Sequence, residues 1–443
     1  MTFCVIPWNH RFTDEQGFHG LCCVGVGDGN NLKNAQGERL HISQQLTNEQ
    51  VFNSPVLKIV RQQMIRGEWP AACERCRQAE QTGARSARQH LNSQFGKDQE
   101  TLLRQTRDDG SLDRPIVRYA DIRLGNVCNL SCRMCGPWAS RLWTPHYNNL
   151  QPRANQLPEA TVRALGESNW VKRQPFAWLL DQCLPTVERM HFAGGEPLII
   201  PEMVEALEQC IASGRAGEIE LSYNTNLTVL SEKITALWPH FRTVTLICSV
   251  DGYGKLNDYI RRLSHWGDID RNLRMLDSHF SDWKIGSVTV TATVQIYNIL
   301  QIHELFAYMR EAGFSRIAPI PQLVPLFSPL YLSIQGLPAK AKAVARERLQ
   351  KEIERAEAWN RPELVGLIGS ARHTLEFMDA ADTASNLPDF LSFCEASDNA
   401  FGDSWREAAP ELAKYLEPVI QKAPQQHPSL LSSLANWITQ RGA

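Results

Sequence analysis

The stretch Ile116-Val117-Arg118-Tyr119-Ala120-Asp121-Ile122-Arg123-Leu124 runs on through Gly125-Asn126-Val127 into Cys128-Asn129-Leu130-Ser131-Cys132-Arg133-Met134-Cys135, and its reading decides the fold. The segment from Ile116 to Leu124 is rich in strand-forming residues and ends at a glycine, which predicts a β-strand. The segment after it places three thiols on one short loop. Three thiolates can hold three corners of a cubane iron–sulfur cluster and leave the fourth iron without a protein ligand. A vacant coordination position is what makes a metal site reactive. A structural zinc site would instead need a fourth ligand close by, and the first candidate after Cys135 is the more distant His146. In βα folds the loops at the C-terminal ends of strands carry the chemistry, and this loop follows a strand.

Outward from that loop the pattern alternates. Further strands are predicted at Val187–Ala193, Ile219–Asn224, Val244–Val250, Ser287–Ile296 and Ile317–Val324. Helices are predicted at Pro137–Tyr147, Pro201–Ser213, Ser231–His240, Ile269–His279 and Gln301–Ala312. Six strands separated by helices imply an α/β fold with a parallel sheet and right-handed crossovers, either a partial barrel or an open doubly wound sheet. After Pro338 strand signals stop. Helices are expected at Ala339–Trp359, near Pro362–Ala380 and at Ala409–Lys422.

Composition narrows the class. The 443 residues allow two or three domains. With 43% hydrophobic and 21% charged residues the chain is neither disordered nor fibrous. Lys+Arg 46 against Asp+Glu 48 gives a net charge of −2, which argues against a dedicated nucleic-acid binder. No apolar run approaches the roughly 18 residues of a membrane span. The opening residues lack the basic and apolar regions of a signal peptide, so a cytoplasmic protein is expected.

Twelve cysteines in a reducing compartment point to metal rather than disulfides. Beyond the loop, Cys4, Cys22, Cys23, Cys73 and Cys76 cluster near the N-terminus, whereas Cys183, Cys210, Cys248 and Cys394 are isolated. Isolated thiols behave as small buried hydrophobes. Strand alternation puts Cys248 on the face opposite Ser249. His191 is equally readable as a site residue or a satisfied core histidine, and Trp138 and Trp143 as the packed face of a helix.

The Cys128–Cys135 loop resembles the signature of the radical S-adenosylmethionine (AdoMet) superfamily, and Gly194-Gly195-Glu196-Pro197 at the end of the second predicted strand resembles its "GGEP" motif. The resemblance spans roughly residues 1–330 and implies a partial (βα)6 TIM-like barrel. It implies that Cys128, Cys132 and Cys135 hold a site-differentiated [4Fe-4S] cluster whose free iron chelates AdoMet. Cofactor contacts are implied for Met134, Gly194, Gly195, Glu196, Pro197, Asn224, Asn226, Ser249, Asn298 and Arg261, with Arg262 the alternative to Arg261. Met134 departs from the aromatic residue often found there, so an adenine-stacking role does not transfer to it. Cys4-x12-Gly17-x4-Cys22 followed by Cys73-x2-Cys76 is similar to a Twitch/SPASM module, implying one auxiliary [4Fe-4S] cluster on Cys4, Cys22, Cys73 and Cys76. A Cys4 zinc site is the rival reading. Between neighbouring Cys22 and Cys23 the spacing favours Cys22, with Cys23 expected to be a buried thiol.

The implied organisation is an auxiliary module over residues 1–112, a barrel over 113–330 and a helical extension over 331–443. The implied activity is reductive cleavage of AdoMet to a 5′-deoxyadenosyl radical that abstracts a hydrogen atom, with oxidative modification of a ribosomally synthesised peptide as the first substrate class. A small metabolite is the alternative substrate, and a non-catalytic zinc-binding interaction protein is the alternative of another class. The expected partners are the substrate and an external one-electron donor such as flavodoxin or ferredoxin, with no membrane.

Overall fold

The computed structural model describes residues 2–81, 85–167, 170–173 and 176–420. One sheet organises them. Its strands are β1 (His10–Thr13), β2 (His19–Gly20), β3 (Tyr119–Arg123), β4 (Arg189–Ala193), β5 (Glu220–Thr225), β6 (Thr243–Ser249), β7 (Ile285–Val294) and β8 (Gln322–Pro325). They lie in the order β2-β1-β3-β4-β5-β6-β7-β8, every neighbour parallel except β1 with β2. The six predicted strands are β3 to β8, so the α/β architecture expected from the alternating pattern is the one formed, and it is consistent with a partial barrel.

Period-two alternation divides the sheet into two unlike faces. On one face Ile122, Phe192, Tyr223, Cys248 and Val290 are buried. The helices Pro201–Ala212 and Trp266–Ser278 connect these strands, and Cys210 of the first reaches Met190 of β4 at 3.8 Å between sulfurs. The opposite face carries Asp121, Arg123, His191, Ser222, Asn224, Thr245, Ser249, Thr289 and Thr291, with Asp121, His191 and Ser222 in register across β3, β4 and β5. An apolar row covered by helices and a polar row on the other side is the pattern of a barrel wall whose interior handles polar groups.

Three local differences from the expected elements have physical causes. Residues Pro137–Tyr147 form no continuous helix; Arg141–Trp143 is a 3-10 turn and Tyr147–Leu150 a single helical turn. Their polar groups are committed elsewhere, with Arg141 N donating to Asn126 O and Ser140 Oγ to Leu130 O. Ser231–His240 breaks into Glu232–Thr235 and Trp238–His240. Pro239 has no amide hydrogen to continue the first piece. The N-terminal region also gives the sheet two strands, β1 and β2, that short, histidine- and arginine-bearing segments do not announce. Residues 1–112 therefore share the sheet with the barrel rather than standing wholly outside it.

The C-terminal part is helical, with Ala339–Ala358, Val365–Asp379, Leu387–Phe401 and Pro410–Ile420 its main helices; the expected continuation to Lys422 lies outside the described residues. It is tied to the barrel. Leu323 N of β8 donates to Ser370 Oγ at 3.0 Å, and buried Tyr297 meets Cys394 at 3.0 Å.

Candidate active site

The three-thiol loop leaves the C-terminal end of β3 and is held by bonds from three directions. Ser131 N donates to Arg262 O (3.1 Å) and Arg133 N to Ile260 O (2.9 Å). Trp143 Nε1 donates to Cys132 O (3.0 Å) and Ser140 Oγ to Leu130 O (2.6 Å). Buried Arg133, a loop residue, sends its guanidinium outward to Asp398 (3.1 Å) and Asp403 (2.8 Å) of the C-terminal extension. Protein contacts alone therefore fix the backbone of the loop. Cys135 bonds to Cys132, which is held low by that bond and by the nearby Arg261 guanidinium. Burial pushes Cys128 up to about 12, with the Cys132 sulfur adding to the shift. Among the described residues, no three His, Cys, Asp or Glu side chains stand close enough together to clasp a metal ion.

The Gly194–Pro197 bend packs directly on this loop. Gly194 and Gly195 have φ of +79° and +56°, the left-handed region that glycine tolerates. A Cβ on Gly195 would stand 2.2 Å from Val127 O, the carbonyl just before Cys128, so any larger residue would push the two segments apart. Glu196 N donates to that same carbonyl at 2.9 Å. The Glu196 carboxylate is buried and accepts from Leu198 N (3.0 Å), Thr225 Oγ1 (2.9 Å) and Asn226 N (2.6 Å). It thereby fastens the bend to the end of β5. Burial pushes this carboxyl up to about 7 despite those donors.

The other singled-out residues divide into two groups. Asn226 reaches the loop, donating to Asn129 Oδ1 (2.9 Å) and lying 3.8 Å from the Cys128 sulfur. Arg261 does so too, with Nη1 at 4.0 Å from the Cys132 sulfur while Nε pairs with buried Asp251 at 2.9 Å. Asn224 lies on the polar face with a buried Oδ1 that no protein donor reaches, an acceptor left for a ligand or water. Ser249 ends β6 on the same face, and Met134 lies half-buried beside Cys135. Asn298 is different, because its amide donates to Asp251 O (2.7 Å) and Thr293 O (2.9 Å) and its oxygen accepts from Gln295 N. It locks β6 to β7. Arg262 points outward, donating to Ser131 Oγ (2.9 Å) and covering the Phe401 ring.

Sequence reasoning missed two features here. Asp251, in the Ser249-Val250-Asp251-Gly252 stretch, orients Arg261 and also accepts from Thr293 N at 2.7 Å. Asp121, fully buried beneath the loop, pairs with Arg123 at 3.1 Å and lies among His10 and His191. Burial pushes both histidines down to about 4, so both are neutral, and His191 bonds Ser222 at 3.0 Å. An acid alternating with apolar residues in β3 was the available signal. Trp138 and Trp143 are not one helix face: Trp143 is buried against the loop and Trp138 is exposed. His146 is exposed, 5.3 Å from the Phe401 ring.

The second thiol set lies at the other end of the strands. Cys4, Cys22, Cys73 and Cys76 line one cavity with His10 and Tyr119, whose side chains stand at the starts of β1 and β3. Long-range bonds assemble it. Asn92 brackets Cys4, donating to Phe3 O (2.8 Å) and accepting from Val5 N (2.8 Å). Val26 N donates to Ala72 O (3.0 Å), joining the Cys22 segment to the Cys73 segment. Arg88 pairs with Glu80 and donates to Phe3 O at 2.7 Å. Burial raises Cys4 and Cys73 to about 12, and Cys22 is raised for the same reason. Cys23, expected to be buried, is exposed at the cavity rim, beside the half-buried Cys22.

Comparison with known proteins bears on this geometry. Residues 122–306 match the family model described as the Radical SAM superfamily. Among solved structures, anSMEcpe with bound AdoMet is similar at 16% identity and a TM-score of 0.38, over 55% of this chain and 62% of that one. Streptococcus suis SuiB bound to precursor peptide SuiA is similar at 16% identity and a TM-score of 0.31, over 67% and 60%. A further structure of Streptococcus suis SuiB is similar at 13% identity and a TM-score of 0.33, over 78% and 70%. The chain thus spans less than two thirds of the anSMEcpe chain. No curated protein matches.

Proposed function

We propose that this chain is a radical AdoMet enzyme that oxidatively modifies a peptide. The observation that carries the reading is the docking of the Gly194–Glu196 bend onto the carbonyl that precedes Cys128, on the loop that carries three thiols. Cys128, Cys132 and Cys135 would hold a [4Fe-4S] cluster; the Gly194–Gly195 backbone, Asn224, Asn226, Ser249 and Arg261 would line the AdoMet site. When bound, the pair supplies one-electron cleavage of a sulfonium C–S bond and hydrogen-atom abstraction by the 5′-deoxyadenosyl group.

The chain's own residues bind and orient. Asp251 holds Arg261 with its guanidinium toward the Cys132 sulfur, where a cation favours thiolate over thiol. Glu196 keeps the bend against the loop, and Asn224 offers its unpartnered oxygen. Apolar packing outside the sheet and the helical extension exclude water. Cys4, Cys22, Cys73 and Cys76 would hold an auxiliary [4Fe-4S] cluster, which would supply a one-electron acceptor. The row of hydroxyls on the polar face, Thr245, Ser249, Thr289, Thr291 and Thr293, supports a substrate rich in amides, as a peptide is. A small polar metabolite would use the same row. Twelve free thiols favour a reducing, cytoplasmic location, and among the described residues no helix is long and apolar enough to cross a membrane.

Anaerobic reconstitution with iron and sulfide, then reduction in the presence of AdoMet, tests the reading. 5′-Deoxyadenosine in the product mixture is expected. A colourless, zinc-containing protein that forms none would overturn it in favour of the interaction-protein reading.

A further inference from the structure

The cysteine loop is held from the far end of the chain as well as by its neighbours. Only Arg133 and Met134 separate Cys132 from Cys135, and Arg133 is 1% exposed. Its Nε donates to Tyr259 O (3.0 Å), and its guanidinium lies 3.6 Å from the centroid of the Tyr259 ring. Its Nη2 meets Asp398 (3.1 Å) and Asp403 (2.8 Å), the latter 270 positions away in the chain. These two acids flank the end of the helix Leu387–Phe401, where Gly402 N (2.8 Å) and Asp403 N (3.1 Å) both donate to Asp398 O. The negative end of that helix therefore adds to two carboxylates that share one guanidinium.

The contact is a network rather than one ion pair. Tyr259 Oη donates to one Asp398 oxygen (2.9 Å) and Trp405 N to the other (2.7 Å). Trp143, the donor to Cys132 O, has its ring 6.4 Å from that of Phe393 and 6.3 Å from that of Phe401. Arg262, whose carbonyl accepts from Ser131 N, covers Phe401. Ser131, Cys132 and Arg133 are thus each tied, directly or through one residue, to the same helix and its end. Removing both acids would leave a guanidinium buried without counter-charge, which is strongly unfavourable. Relief requires drawing the Arg133 segment toward water, and that segment joins two of the three thiols. Loss of a neutral bond to the loop leaves no such charge.

We propose that Asp398 and Asp403 are positioning residues for the site cluster: acting through Arg133, they couple docking of the C-terminal helix end to loading of Cys128, Cys132 and Cys135. The inference rests on the proposed function. Coupling of this kind is reciprocal, so whatever the docked helix adds to cluster retention, the cluster adds to helix docking. The N-terminal thiols are the internal control, because neither acid nor Arg133 lines their cavity. An extension that only lent general stability would affect iron at both thiol sets alike.

The test uses the full chain, reconstituted anaerobically with iron and sulfide, and needs no turnover. It compares wild type, D398N/D403N and S370A, the last removing the bond from Leu323 N elsewhere in the extension. Two quantities are read: iron per chain after gel filtration, and amide hydrogen exchange with and without metal. D398N/D403N should keep about half the wild-type iron, as one of two four-iron sites would be lost. Adding C128A/C132A/C135A to it should remove no more, and S370A should keep the wild-type amount. In wild type, loading should slow exchange over residues 387–408 on the order of tenfold, and in D398N/D403N it should not. Full iron in D398N/D403N, a further loss on adding the three alanines, or the same loss in S370A would overturn the coupling. So would exchange in wild type that loading leaves unchanged, a result that decides the matter even if D398N/D403N fails to fold. If wild type holds no more iron than C128A/C132A/C135A, it is the proposed function that fails, and the coupling with it.

Discussion

Two thiol sets sit at opposite ends of the same strands, and they are built in opposite ways. Cys128, Cys132 and Cys135 lie on one loop at the C-terminal end of β3, clamped by Trp143, Ser140 and Arg262. Cys4, Cys22, Cys73 and Cys76 come from three separate segments, gathered at the starts of β1 and β3 by Asn92, Arg88 and the Val26–Ala72 bond. The backbone of the local set is framed by bonds to its near neighbours. The dispersed set depends on tertiary folding, and of its four thiols only Cys4 is fully buried. Three thiolates on a loop would leave one iron of a cubane open for chemistry, whereas four would ligate every iron, as electron storage needs.

The largest expected effect separates the two. C128A/C132A/C135A should abolish 5′-deoxyadenosine formation and lose about half the bound iron, as one of two four-iron sites would be removed. Chromatography and an iron assay read both. Continued cleavage would erase the distinction between the sets. C73A/C76A should do the converse, keeping AdoMet cleavage while substrate product disappears. Unchanged turnover in that variant would strip the dispersed set of its proposed role.

The asymmetry also explains what could be read from sequence. The local set is a contiguous pattern, and the strands flanking it carry β-branched residues, so β3 to β8 and the docked Gly194–Pro197 bend were legible. Contacts made across the fold were not. Nothing near Asn92 signals that it brackets Cys4 from 88 positions away in the chain, a separation set by Cys4 and Asn92 themselves. β1 was hidden because its residues are all buried and show no alternation. Asn298 looked like a site polar group because it follows β7, yet its amide is spent on backbone. The expected helix at Pro137–Tyr147 failed because helix propensity lost to the clamping of the cysteine loop.

Between the two sets lies the pair His10 and His191 around Asp121, and it sharpens the comparison through pH. Each histidine is pushed from about 6.5 to about 4 by burial. The folded form holds them neutral while the unfolded chain binds protons below about 6.5, so stability is full above that pH and is lost as pH falls toward 4. Between pH 7 and pH 5 each histidine should cost about 2 kcal/mol. Urea midpoints of the metal-free chain should therefore drop on acidification, and H191N should remove about half of the histidine-dependent drop. An identical pH profile in H191N would show that the floor between the two sets is open to water.

The smallest effect probes the clamp itself. Trp143→Phe keeps an aromatic ring against Phe393 and Tyr147 but deletes the donor to Cys132 O. That carbonyl still accepts from Cys135 N at 2.9 Å, so the acceptor is not orphaned, and the loss should be about 1 kcal/mol. Because the cluster would itself cross-link the loop through three thiolates, the cost should appear in the metal-free chain and shrink in the loaded one. The corresponding change at the dispersed set, Asn92→Ala, removes both bonds that bracket Cys4, and there metal binding must do the gathering that Asn92 no longer does. Its cost should therefore fall on iron retention at the N-terminal site rather than on the metal-free melting point alone. If Trp143→Phe loses iron and Asn92→Ala does not, the preformed set and the assembled set have been assigned the wrong way round.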